Sequence, residues 1–455
     1  MQKNSALHLF SLNALALSLA LAFGPAHAQS TQADLVKKLD ALASEIDKLK
    51  AELQQLKTKQ DETPAAIAAS TQAATTAATT AATSAATTAA TTAATAAATA
   101  AVASGGSGLS ATRLTGYGEI AYTRPRRESK NSQADVGRFV IGFQHRFDDR
   151  TKVVGELEVE HAVTSATDRG EVAVEQVVIE HKFNDTFGGR AGLFLIPIGL
   201  INQSHEPTAY YGNFRPMVEM AIIPSTLREI GLQAFGEHDN GISWSAGLST
   251  GPDLTKWDPL SAEGVESPLR SVHQEGQLAK ARNLSLFGAV DWRGIPGLRV
   301  GAALITGKTG QGQSDFAARN ARYTLWDVHT NWTPGAWDLT ALYARGTITG
   351  ASKLNATFGP GAAPVPSLFD GFYAQAAYKF RLVDDYTLSP FVRYDIINTG
   401  RDFDGVAVQR YRTEGIATVG VNFNISPSIV FKADYQRHRV VKDNDRFSLG
   451  VGYSF

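Results

Sequence analysis

Cysteine is absent from all 455 residues. No disulfide or zinc-thiolate framework is therefore available, and the lack suits passage through an oxidising compartment where a free thiol is a hazard. Neither sign of charge is in excess, since 43 Lys+Arg face 44 Asp+Glu. A chain so balanced lacks the basic surface that nucleic acid demands, and nucleic acid is excluded as an expected partner. Long hydrophobic runs are missing too. The one apolar stretch near the start, Ala14 to Phe23, is about half of the roughly 20 residues a spanning helix needs. If this chain meets a bilayer, a helical bundle is excluded and a closed β-barrel remains, because every backbone polar group must be paired within the hydrocarbon.

What is present divides the chain into four parts. Lys3, the apolar stretch and the small residues of Gly24-Pro25-Ala26-His27-Ala28 read as a cleavable export signal over residues 1–28. Residues 29–63 carry a heptad seam, with Leu39, Ile46 and Leu53 at a and Leu35, Leu42, Leu49 and Leu56 at d. Glu45 and Glu52 fall at g, opposite Lys50 and Lys57 at e, which predicts a self-associating parallel coiled coil without fixing its number of strands. After Pro64 the chain becomes Ala/Thr-rich in four-residue units and ends in Ser104-Gly105-Gly106-Ser107-Gly108. A period of four holds no side of a helix against a partner, so residues 64–108 read as a spacer, helical or disordered, with a flexible joint.

From residue 109 to 455 the pattern becomes that of strands, apolar and polar alternating over segments of about ten residues. Leu114, Gly116, Gly118, Ile120 and Tyr122 alternate with Arg113, Thr115, Tyr117 and Glu119, and Phe139, Ile141 and Phe143 alternate with Arg138, Val140, Gly142 and Gln144, with Arg146 next in phase. Glu156, Glu158 and Glu160, on every second residue beside Gly155, Leu157 and Val159, need water or a partner, and a wet lumen supplies both. Short turns such as Phe147-Asp148-Asp149-Arg150 and Ile295-Pro296-Gly297 contrast with long Gly/Pro-rich connections from Pro252 to Ala281 and Gly350 to Asp370. That contrast predicts periplasmic turns on one rim and external loops on the other. Phe447, Leu449, Val451, Tyr453 and Phe455 end the chain on an outward apolar strand, which as the edge of a soluble sheet would be an aggregation hazard. The fold class is therefore all-β: an antiparallel transmembrane barrel of about 16 strands, preceded by a periplasmic α-helical coiled coil and placed in a bacterial outer membrane.

Enzyme signatures fail on context. Gly247-Leu248-Ser249-Thr250-Gly251 has the spacing of a nucleophile elbow but leads from a strand into a long loop instead of a helix. Gly307-Lys308-Thr309 lacks the first glycine of a phosphate loop, and His205-Glu206 has no second histidine at the metalloprotease spacing. No catalytic residue, metal site or cofactor is expected.

One stretch points further: Gly192-Leu193-Phe194-Leu195-Ile196-Pro197-Ile198-Gly199-Leu200, a long segment from Ile201 to Leu227, then Arg228-Glu229-Ile230-Gly231-Leu232. Its organisation resembles the phosphate-selective (O/P-type) porins of bacterial outer membranes, as do the neighbouring strands and the terminal Phe. The resemblance covers most of residues 112–455. It implies a trimeric sixteen-stranded barrel in which residues 201–227 fold into the pore. His205, Glu206, Tyr210, Tyr211, Arg215, Glu219 and Arg228 then become candidates for narrowing and charging the constriction, or for pinning the loop to the wall. Arg113, Arg138, Arg146, Lys152, Glu156, Glu158, Glu160 and Arg393 are inward by parity and are candidate pore lining. Rows of opposed charge shape a field without selecting anions, so phosphate preference is implied only by the resemblance. The partners implied are outer-membrane lipid, two further copies of the chain, and small solutes or ions. A structural anchor is the other reading, with the coiled coil reaching the cell wall and the barrel serving as its mount.

Overall fold

The computed structural model describes residues 111–455 except 166, 384, 408 and 409, together with scattered helical positions between Lys37 and Gln55. Those helical positions include the exposed pair Asp47 and Lys50 (3.9 Å). The export signal, all of the heptad seam but Leu49, and the spacer lie outside the described residues.

The described strands of residues 112–454 are β1 (Thr112–Pro125), β2 (Gln133–Arg146), β3 (Thr151–Glu160), β4 (Val172–Lys182), β5 (Phe187–Leu195), β6 (Arg228–Glu237), β7 (Ile242–Ser249) and β8 (Ser285–Trp292). They continue with β9 (Leu298–Lys308), β10 (Arg322–Trp332), β11 (Trp337–Thr349), β12 (Leu368–Tyr378, resumed at Phe380–Arg381), β13 (Thr387–Asp402), β14 (Glu414–Ser426), β15 (Ile429–His438) and β16 (Arg446–Ser454). Each pairs antiparallel with its neighbours, and β16 returns to β1 in the register Tyr117↔Ser454 to Pro125↔Arg446. The sixteen-stranded barrel is closed, so no edge is left to aggregate. The closing seam is completed by the last residue: Gly116 N–H donates to Phe455 O (3.1 Å) and Phe455 N–H to Gly116 O (2.8 Å).

Connections alternate between rims. Residues 147–150, 183–186, 238–241, 293–297, 333–336, 382–386 and 427–428 turn at one end, whereas 161–171, 196–227, 250–284, 309–321, 350–367 and 403–413 are long and lie at the other. The barrel begins and ends at the short-turn rim, as the pairing of β1 with β16 requires.

Outward parity matches the sequence pattern. Leu114, Ile120, Phe139, Ile141, Phe143, Leu157, Val392, Tyr394, Phe431, Phe447 and Leu449 are exposed, which in water would be costly and in lipid is not. Phe147, Phe183, Phe187, Trp292, Trp332, Trp337, Phe380 and Tyr386 form an exposed aromatic belt beside the short turns, the position where amphipathic rings meet lipid headgroups.

Inward parity holds less simply. On β8 to β12 the inward side chains Phe287, Ile305, Tyr323, Leu325, Leu342, Ile348, Phe369 and Tyr373 are buried and apolar, packed with Val218, Ile222 and Ile223 of the 196–227 connection and Leu254, Trp257, Leu269 and Val272 of the next long loop. Toward the long loops, the lumen on this side is a hydrophobic core where the alternation implied a wet wall. Apolar side chains tolerate an inward position here because the inserted loops cover them, each fully buried one being worth about 1.5–3 kcal/mol.

Candidate functional site

Strand β5 stops at Leu195, short of the Leu200 that the sequence motif suggested. Pro197 has no N–H to offer the ladder, and Ile198 N–H turns back to Ile196 O (2.8 Å). Carboxylates then satisfy the freed amides: Asp327 of β10 accepts from Gly199 N–H (2.9 Å), and Glu219 accepts from Leu200 and Ile201 N–H (both 2.8 Å). Asn202 closes the neck of the loop, donating to Ile196 O (2.8 Å) and Leu227 O (3.0 Å) and accepting from Leu227 N–H (2.8 Å).

Beyond its neck, the loop crosses to the far wall. Arg138 of β2 donates to His205 O (2.6 Å) and to Glu119 (2.8 Å), and Glu119 also accepts from Tyr210 OH (2.7 Å). Lys432 sits 3.7 Å from the centre of the Tyr210 ring, a cation–π contact. Asn422 accepts from Gly212 N–H and donates to Tyr210 O, while Asp434 accepts from Asn213 N–H (2.7 Å). Arg393, its side chain fully buried, pairs with Asp395 (3.1 Å) and donates to Tyr211 O and Phe214 O; Asp395 in turn accepts from Met217 N–H (2.8 Å). The loop passes so close to β16 that a Cβ on Gly452 would stand 2.6 Å from Pro207.

Each residue singled out from the sequence can now be placed. Tyr210, Tyr211, Glu219 and Arg393 reach loop or wall partners: Tyr211 OH donates to Asp338 (3.0 Å), and Glu219 also accepts from Tyr373 OH (2.7 Å). Burial, and then the neighbouring acids Glu119 and Asp338, hold both loop tyrosines above their ordinary pKa, so they remain neutral donors. Burial also raises the Glu219 carboxyl above its ordinary range, outweighing its hydrogen bonds. His205 is buried against Tyr117 (2.6 Å) and Glu175 (3.2 Å). Arg215 is buried and makes no ion pair among the described residues; burial, then the guanidinium of Arg138, lowers its pKa. Glu206 is half-buried, likewise without an ion pair among the described residues. Arg113 and Arg146 are exposed beside the short turns, and Lys152 there pairs with Glu180 (3.1 Å).

Two cavities flank the loop. The first, about 320 Å³, opens toward the short turns and is lined by loop residues 197–204 and by Arg190, Gln233, Asp291, Arg299 and His329. The ring nitrogens of His329 each meet a carboxylate, Asp327 (2.5 Å) and Asp291 (3.0 Å). Arg299 grips Asp291 through two donors (2.6 and 2.9 Å). The second cavity, about 490 Å³, lies toward the long loops and brings Glu158 and Glu160 opposite Arg215, Arg228 and Arg270. Arg228 pairs with Glu275 (3.0 Å); burial works to raise the Glu275 pKa, but the hydrogen bond from His273 and the charge of Arg228 bring it below the usual range.

Three contributors escaped the sequence reading. Asn202 and Asn422 carry no charge pattern that would mark them. Glu175 faces inward because of a β-bulge, where Glu156 pairs with Gln176 but Leu157 pairs with Val174; strict alternation counts it as lipid-facing. Ser249, central to the nucleophile-like stretch, is buried at the end of β7 and donates to Thr250 O (2.7 Å).

The closed barrel with its inserted loop has the architecture of bacterial outer-membrane porins. No family model matches the chain. A protein of Aquifex aeolicus (strain VF5) described as uncharacterized is 29% identical over 354 residues, 75% of this chain and 79% of the relative. Among solved structures, OmpF of Salmonella typhi in complex with daunomycin superposes with a TM-score of 0.54 at 15% identity, over 76% of this chain and 97% of OmpF. The anion-selective porin from Comamonas acidovorans is more distant, at 10% identity and a TM-score of 0.47 over 76% of this chain and 99% of that porin. At such identities the likeness establishes the fold alone: a porin-like β-barrel.

Proposed function

We propose that this protein is a water-filled outer-membrane channel for small hydrophilic solutes and ions, constricted by the loop of residues 196–227. The observation that carries the reading is the pair of cavities, one on each side of a loop fastened at mid-barrel, both lined by charged side chains. A barrel made only to be a mount has no use for them. Anions such as phosphate are the favoured class: the resemblance to O/P-type porins supports them, as does the short-turn cavity, where Lys182, Arg190, Arg293 and Arg299 face Asp185, Glu237 and Asp291. The acids of the other cavity set a counterweight, making selectivity moderate. Proteoliposome swelling tests the proposal: entry of small sugars that falls with solute size supports it, and no swelling by a folded barrel refutes it.

The chain works as a trimer, with residues 29–63 as its periplasmic coiled coil and 64–108 as the spacer. The heptad seam supports this, as does a barrel that starts at the short-turn rim. Deleting residues 32–104 should weaken the trimer on semi-native gels while leaving channels intact. The same rim keeps the anchor reading in play: about 28 residues of coiled coil reach roughly 40 Å, far enough to touch a cell wall without interfering with transport.

A further inference from the structure

We propose that Glu175, His205 and Glu156 form a binding site for a divalent transition-metal ion of the zinc class, fastening the constriction loop to the barrel wall. Three elements converge there: the β4 bulge turns Glu175 inward, Glu156 projects from the adjacent position on β3, and His205 arrives from the loop. One ligand atom from each residue lies within 4.8 Å of the other two.

The state of Glu175 points to a ligand. Its side chain has no solvent exposure, yet Oε1 makes no hydrogen bond. That oxygen lies 3.2 Å from His205 Nε2, the spacing of two neighbouring ligands around an ion with bonds of about 2.0–2.2 Å. Glu175 Oε2, the other oxygen, accepts from Tyr117 OH (2.8 Å), the outer-shell contact that orients a metal-binding carboxylate. His205 Nδ1 faces Asn202 O (3.2 Å), which orients the ring with Nε2 toward Glu175; Nε2 also meets Tyr117 OH (2.6 Å), a contact the ion would replace. Glu156 accepts from Gln176 Nε2 (2.6 Å) and completes the set by a small side-chain turn. An imidazole with two carboxylates favours zinc-like ions over calcium or magnesium, which prefer oxygen alone. Arg138 is the neighbouring cation, and Glu119 already engages it at 2.8 Å.

An ion here would join β3, β4 and the loop at one point, beside the contacts that Tyr117 and Arg138 of β1 and β2 already make with His205. The binding claim is independent of the channel reading; only its effect on current rests on that reading.

The test is cobalt and zinc titration of the full-length, metal-stripped protein in detergent. One Co²⁺ per chain is expected, with a low-symmetry visible spectrum that Zn²⁺ abolishes. Glu175→Gln and His205→Gln should each weaken binding by more than the roughly 10–100-fold loss expected of the outer-shell variant Tyr117→Phe, and His161→Gln should change nothing. Heat-modifiable gel migration checks folding, and if Glu175→Gln misfolds, His205→Gln on the loop decides. Absence of cobalt binding, or binding that survives in His205→Gln, overturns the proposal. In bilayers, added Zn²⁺ should alter the current of the wild type but not of His205→Gln. A protein that binds the metal without conducting would refute the channel and keep the site.

Discussion

The two halves of the lumen wall use inward polar groups in opposite ways. Across β10 to β15, Asp327, Arg393, Asp395, Asn422 and Asp434 are buried and bonded to the loop backbone. Across β3 to β5, Glu158, Glu160 and Arg190 face cavities, while Arg138 of β2 still holds the loop at His205 O. The same alternating pattern in sequence thus encodes a clamp on one side and a cavity lining on the other. What separates them is where the loop lies.

Four substitutions would break or sharpen that contrast. Arg393→Ala should be the most damaging, because it strands the fully buried Asp395 and removes the donors to Tyr211 O and Phe214 O. Breaking a buried pair costs about 3–5 kcal/mol, so a lowered melting transition and noisier, larger current steps are expected. Asn202→Ala should follow at about 1–3 kcal/mol, since Leu227 N–H loses its acceptor in a buried neck; thermal unfolding followed by circular dichroism measures it.

Glu219→Gln sharpens the comparison through pH. The carboxyl of Glu219 is raised above its ordinary 4.5 by burial, so the stability tied to its neutral form is complete below that value and is lost as pH rises through the higher folded value. Wild type should therefore lose stability relative to Glu219→Gln as pH climbs above about 4.5, and a flat difference between their melting curves would contradict the assignment. Glu160→Gln should have the smallest effect on stability, within about 0.5 kcal/mol, because the side chain is only half-buried, lines the second cavity and makes no ion pair among the described residues. Its mark should instead be a zero-current potential shifted toward anions.

The contrast also explains what could be read in advance. Lipid-facing positions such as Phe139, Ile141 and Phe143 were legible because parity is local, and a closed barrel was expected because it alone pairs every backbone group of spanning strands within a bilayer. The inserted loop was expected from the porin resemblance that Gly192 to Leu200 and Arg228 to Leu232 carry. The apolar lumen of β8 to β12 was not legible, since it depends on loops that arrive from elsewhere in the chain. Arg393 could not be distinguished from a pore-lining cation because its partner Tyr211 is 182 residues away. Glu175 was hidden for a different reason: one bulge reverses the parity on which the reading depended.

Conductance of the purified protein in a planar bilayer under a salt gradient, with phosphate and a neutral sugar as competitors, bears most directly on the central claim. Discrete steps in groups of three, a moderately anion-selective potential and a current reduced by phosphate are the predicted result. A folded, heat-modifiable barrel that passes no ions would contradict the account and leave the protein as an anchor.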